Sequence, residues 1–109
     1  KLLDNANKQG AYLKKGLEEL MARYDVIGDV RGVGLLVGLE IVESRESKRP
    51  APEMAAKISR ECARRGLLPG LSEGNNIFRL CPPLVITEGE VTRALTIIEE
   101  ALAAVAELS

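Results

Sequence analysis

The chain has 109 residues, 46% hydrophobic and only 3% aromatic, with 15 basic and 16 acidic side chains for a net charge of −1. That length suits one compact domain, and its core must be aliphatic. The balanced charge and three scattered aromatics (Tyr12, Tyr24, Phe78) argue against a nucleic-acid surface, and the longest apolar run, Gly34 to Leu39, is too short to span a membrane.

In chain order, Leu2, Leu3, Ala6, Leu13, Leu17, Leu20, Met21 and Tyr24 recur at helical spacing, with lysines and glutamates elsewhere on the wheel. This predicts an amphipathic helix over 1–24, with a break near Gly10. The next stretch, VIGDVRGVGLLVGLEIV, is rich in Val, Ile, Leu and Gly and lacks a helical period. It predicts two strands, Val26 to Val30 and Leu35 to Val42, hinged around Gly32 and Gly34. The near-continuous apolarity of the second implies burial on both faces, or one face against another body. ESRESKRP, Glu43 to Pro50, is a solvated loop. Pro52 suits the first turn of a helix whose apolar face carries Met54, Ala55, Ile58, Cys62 and Ala63. Arg64 and Arg65 complement its C-terminal dipole and Gly66 caps it. An extended segment from Leu67 runs through a mobile loop, LSEGNN, into the strand NNIFRLCPPL. Thr87 and Glu90 form a capping box, Ile86 and Val91 a hydrophobic staple, and a stripe from Val91 to Leu108 marks the last helix. The order helix, strand, strand, helix, strand, helix is that of an α+β two-layer domain: a small, mostly antiparallel, three- to four-stranded sheet covered by helices.

Few residues carry chemistry. With two cysteines, Cys62 and Cys81, and no histidine, a Cys/His metal site is disfavoured. Read as buried thiols rather than a disulfide, the pair points to a reducing, cytoplasmic setting. Gly32, Gly34 and Gly38 give GxGxxxG followed by a strand, so they fail as a dinucleotide fingerprint and read as structural glycines. Nucleophilic catalysis needs an activated Ser or Cys with a base, and the chain has no histidine and no serine in a nucleophile-elbow pattern. Glu40 lies in a strand, as a buried acid or on a polar face. None of Lys1, Lys8, Lys14, Lys15, Lys48 and Lys57 sits in a buried strand-end context that would depress its pKa. Arg79 remains. By alternation it shares a face with Ile77 and Cys81, opposite Phe78 and Leu80, and both of those face-mates read as buried. It is then either half of a structural ion pair or a planar fork aimed at an anion, with Pro82 and Pro83 stiffening the exit.

IGDVRGVGLLVGLEIV, then RECARRGLL, then NNIFRLCPPLVITEGEV, in this order, resemble the C-terminal small domain of class III pyridoxal-phosphate-dependent aminotransferases. The resemblance covers essentially the whole chain. Within the class it is strongest to the 2,2-dialkylglycine decarboxylases, with 4-aminobutyrate, acetylornithine and other ω-aminotransferases close behind. It implies a fold type I small domain at 25–109, led in by the helix at 1–24. The implied parent enzyme is a cytoplasmic homodimer or tetramer that moves an amino group from an amino acid to a 2-oxo acid. The family's arginine of the PPL block, here Arg79, contacts the substrate carboxylate, and Arg31 matches a structural position. The family's large domain carries the Schiff-base lysine and the phosphate-binding loops and is not in this sequence. By this resemblance no catalytic, cofactor-binding or metal residue is expected here, and the fragment alone should be inactive and free of pyridoxal phosphate. The start at Lys1, without methionine, fits a fragment, as does the surplus of apolar residues on the first helix. The alternative is a free-standing α+β ligand-binding or regulatory module that pairs through its sheet.

Overall fold

The computed structural model describes residues 2–67, 70–71, 76–80 and 82–108. Their order is α1 (Leu2–Arg23), β1 (Ile27–Val33), β2 (Leu36–Ile41), α2 (Pro52–Arg64), β3 (Gly70–Leu71), β4 (Ile77–Leu80) and α3 (Glu88–Leu108). The strands form one sheet in the order β1-β2-β4-β3, with every pairing antiparallel. All three helices contribute to a single aliphatic core against one face of that sheet. The expected α+β two-layer architecture is what is observed.

Alternation along the strands separates two faces. Ile27, Val30, Val37, Leu39, Ile41, Phe78 and Leu80 are buried inward. Ile27 and Val30 are three residues apart, a spacing that regular pleating would place on opposite faces. A register shift at Gly28 turns both inward. The opposite face carries Asp29, Arg31, Gly38, Glu40, Ile77 and Arg79, all exposed or half-buried. β2 is therefore buried on one face only, although its sequence reads as nearly continuous apolar residues.

The first helix runs unbroken through Gly10. A methyl group there would stand 1.9 Å from the Gly34 carbonyl oxygen, so α1 lies directly on the hairpin turn. That turn is Gly34–Leu35, and Gly34 has φ +56°, the left-handed conformation that primed hairpin turns require. β1 thus continues to Val33, with Gly32 paired to Val37, and the hinge expected at Gly32 is absent. On the α3 side, Tyr12 bonds Thr92 at 2.5 Å and Arg23 bonds Glu99 at 2.8 Å.

The predicted caps are present. Pro52 opens α2 after Ala51. Its end is a Schellman arrangement: Gly66 N–H donates to Ala63 O, Leu67 N–H donates to Cys62 O, and Gly66 has φ +96°. At α3, Thr87 N–H donates to Glu90 Oε1 at 2.9 Å, and Glu90 N–H returns to Thr87 Oγ1 at 3.2 Å. The charged loop after β2 is mostly exposed, but Arg45 ties it to Asp25. Of the LSEGNN segment expected to be mobile, 72–75 lie outside the described residues, and Asn76 is fixed. It is buried, its carbonyl accepts from Ile41 N–H at 2.7 Å, and its side chain donates to Ile41 O at 3.3 Å.

Candidate functional site

Arg79 sits in the middle of β4 between two glycines of neighbouring strands. The register pairs it with Gly38 of β2 on one side and Gly70 of β3 on the other. Gly38 is paired in turn with Arg31 of β1, so one row across the outer face reads Arg31, Gly38, Arg79, Gly70. The expectation that Arg79 shares a buried apolar face is corrected here. Phe78 and Leu80 are the inward residues, Ile77 is half-buried, and Arg79 is exposed on the open face. The inward side of β4 is set by the aromatic ring and the leucine, which have the most apolar area to bury. Cys81, the other expected face-mate, lies outside the described residues.

An arginine is always charged at physiological pH, so what meets its fork decides its role. Among the described residues no carboxylate lies within ion-pair distance of Arg79; Arg23, Arg31, Arg45, Arg49, Arg64 and Arg65 are paired, while Arg60 and Arg93, exposed on helices, are like Arg79 without an ion pair among the described residues. Arg31 bonds Asp29 on its own strand. That contact offsets the repulsion between Asp29 and Glu40, which the register sets directly opposite each other. Arg31 is thus paired on its own strand.

Beyond β4, Arg79 lines a cleft of about 300 Å³ whose other walls are aliphatic except for Glu90. Glu90 makes no ion pair with Arg79; its Oε1 accepts from both Thr87 N–H and Thr87 Oγ1–H in the capping box. Pro82, Pro83 and Ile86 form one side of this cleft. The segment is tied down by α1: Asn5 Nδ2 donates to Leu84 O at 2.7 Å and to Ile86 O at 3.0 Å. Two such bonds contribute about 1 kcal/mol each. Sequence reading passed over Asn5. Its signal is a pair of amides, Asn5 and Gln9, one turn apart on the buried side of an apolar helix. Gln9 Nε2 donates to Asn5 Oδ1 at 3.5 Å, holding the clamp from behind.

The other candidates are not brought to this site. Glu40 takes the polar-face option, lining a small outer hollow with Asp29, Arg31, Gly38 and Ile77. Lys8, Lys15, Lys48 and Lys57 are exposed, Lys14 is half-buried on α1, and Lys1 lies outside the described residues. Cys62 is a free thiol in the core, and burial pushes it up to about 11. Neutral and enclosed, it is no nucleophile. Among the described residues no cluster of metal-ligating side chains occurs, and no helix is long and apolar enough to cross a membrane.

Comparison with known proteins extends this geometry. The class III aminotransferase family model matches residues 1–102. The alanine/serine racemase of Pyrococcus horikoshii is 44% identical over 102 residues, covering 93% of this chain and 21% of the racemase. The taurine–pyruvate aminotransferase of Bilophila wadsworthia is 40% identical over 110 residues, covering 95% of this chain and 24% of that enzyme. Among solved structures, an aminotransferase from Bacillus anthracis superposes with a TM-score of 0.88 at 33% identity, covering 94% of this chain and 24% of its own. The chain thus spans about a fifth to a quarter of the length of these relatives. With a family model matched over nearly all of its length and structural neighbours of the same kind, the chain belongs to the class III aminotransferase family.

Proposed function

We propose that this chain is the substrate-carboxylate-binding small domain, residues 25–109 led in by the helix at 1–24, of a pyridoxal-phosphate-dependent class III enzyme. The observation that carries the reading is Arg79: a strand arginine on an open face, without a carboxylate partner among the described residues, between glycines on both sides. Its planar fork can take a carboxylate through two parallel N–H···O bonds. Such a charge-assisted contact contributes roughly 1.5–3 kcal/mol. Clamped by Asn5 and stiffened by two prolines, the segment after β4 holds the arginine's position, so the contact orients as well as binds.

The cofactor supplies the electron sink in this chemistry, and its attachment is assigned to the rest of the longer protein. The 109 residues alone are expected neither to bind pyridoxal phosphate nor to transaminate. Saturable binding in a spectrophotometric titration of the isolated chain would overturn that. For the longer protein we propose amino transfer from an amino acid to a 2-oxo acid in a homodimer or tetramer, with decarboxylating transamination as the finer assignment. Assays against 2-aminoisobutyrate, 4-aminobutyrate and N-acetylornithine, with pyruvate and 2-oxoglutarate as acceptors, decide it. Carbon dioxide release from 2-aminoisobutyrate marks the decarboxylating subclass.

In the full-length protein, Arg79→Ala should lower kcat/KM for carboxylate substrates at least ~10-fold, one step of about 1.4 kcal/mol. Arg79→Lys should restore little, because a point charge cannot replace the fork. Unchanged kcat/KM in both variants would remove Arg79 from the site. A second reading, amino-acid racemisation, is favoured by the 44% identity to the alanine/serine racemase. It keeps the same role for Arg79 and is separated by incubating a single enantiomer without a 2-oxo acid and following loss of optical rotation.

A further inference from the structure

Glycine inside a strand costs about 0.5–1 kcal/mol, and it is kept where the backbone needs a left-handed φ, where a bulge forms, or where a neighbour crowds the missing side chain. Gly34 meets the first condition with φ +56°, and Gly28 meets the others, at the register shift and with Val42 2.9 Å from a methyl group placed there. Gly38 meets none. Its φ is not in the left-handed region. It is in register on both sides, with Arg31 and with Arg79. A methyl group placed on it would meet only Ile77 Cγ2 at 3.7 Å and Phe78 O at 3.9 Å, ordinary contact distances. The fold therefore has room for a methyl group at 38, yet this central-strand position has none.

What sets Gly38 apart is its place on the open face. In register it lies between the two strand arginines, and on the Arg31 side it floors a hollow of about 80 Å³ walled by Asp29, Arg31, Glu40 and Ile77, which Arg79 does not line. Residues directly opposite on antiparallel strands have Cβ atoms about 5 Å apart, so a side chain at 38 would stand against the first methylenes of Arg79. We infer that Gly38 is a specificity-determining position. The bare strand surface beside Arg79 is the berth for the part of the substrate adjoining its carboxylate, and the size of residue 38 sets how bulky that part can be. This rests on Arg79 as the carboxylate holder. The ligand class is an amino or 2-oxo acid with a branched or extended carbon chain next to the carboxylate, which a β-branched residue at 38 would displace.

The test uses the full-length protein with whichever amino donor it turns over best, and measures competitive inhibition by acetate, butyrate and 2,2-dimethylpropanoate, whose bulk adjoins the carboxylate. Gly38→Val is expected to fold with a Tm no lower than the parent, since β-branched residues suit strands. It should weaken inhibition by 2,2-dimethylpropanoate at least ~10-fold, a step of about 1.4 kcal/mol, while that by acetate stays nearly unchanged. Gly38→Ala, which the contact distances accommodate, should fall between. In an Arg79→Ala background, Gly38→Val should change little further. A size-independent loss with a lowered Tm in both Gly38 variants, or unchanged inhibition by all three acids, would overturn the inference. If Arg79→Ala by itself leaves inhibition untouched, the carboxylate reading falls and this inference with it. If Arg79→Ala weakens inhibition but both Gly38 variants do not, this inference alone fails.

Discussion

Arg79 was conspicuous in the sequence as a charge inside IFRLC, and its solvent-open setting was not. Alternation fixes which residues share a face but not which face is inward. Ile77 and Cys81 looked as apolar as Phe78 and Leu80. Only the packing of the phenylalanine and leucine against the helices breaks the tie. The glycines beside Arg79 are 41 and 9 positions away, at 38 and 70, so their adjacency is a property of strand register and not of any motif. Cys62, by contrast, read correctly as a core thiol from its place on the apolar stripe of α2. Its raised pKa, from burial, holds the thiol protonated in the native state. The accompanying stability is fully present below the ordinary thiol value of 9.0 and is lost as pH rises through about 11. In a Cys81→Ser background, Ellman's reagent at pH 8 should react with Cys62 slowly and at a rate that tracks unfolding in denaturant. Rapid reaction of the native chain would contradict the burial.

At the scale of elements, the helix ends were legible because caps are local. Thr87, Ile86, Glu90 and Val91 lie within six residues of one another, and the Gly66 cap follows its helix directly. Thr87→Ala should cost about 1 kcal/mol, read as a lower denaturant midpoint at unchanged m-value. The interior of α1 was not legible. Gly10 is a helix breaker by propensity, but it is where the helix rests on the Gly34 carbonyl, 24 residues on. The two views predict opposite signs for Gly10→Ala. Propensity alone predicts a gain of nearly 1 kcal/mol, and the 1.9 Å contact predicts a loss of about 1–3 kcal/mol. We expect the loss, seen as a lower Tm. Between α2 and α3, Glu61 accepts from Arg65 at 2.8 Å and Arg64 at 3.1 Å, while Arg65 reaches Glu100 of α3 at 3.6 Å. The bond from Arg65, then the Arg64 charge, holds the Glu61 carboxyl below its ordinary 4.5 despite opposing desolvation. A depressed carboxylate stabilises the fold above its unfolded pKa and ceases to do so as pH falls through the folded value. Glu61→Gln should therefore narrow its stability difference from the parent as pH drops below 4.5. A difference independent of pH would mean the ion pairs contribute nothing.

For the whole molecule, the division of labour follows from covering one face of a small antiparallel sheet. Three helices take the aliphatic inward face, and the outer face is left to a row of charges and glycines. The apolar surplus foreseen on α1 is present as Leu2 and Leu3, 53% and 71% exposed, joined by Leu84 and Val85 in the loop that Asn5 clamps. Composition and periodicity were enough for the two-layer class, because an aliphatic chain of this length has few other ways to bury its stripes. They could not place the candidate site, which depends on three strands meeting in one register.

The role of Arg79 is tested most directly in the full-length protein by comparing two amino donors that differ only in the carboxylate, 4-aminobutyrate and propylamine. Arg79→Ala should lower kcat/KM for 4-aminobutyrate at least ~10-fold and leave that for propylamine within about twofold, collapsing the preference for the acid. An equal loss on both donors, or an undiminished preference, would contradict it.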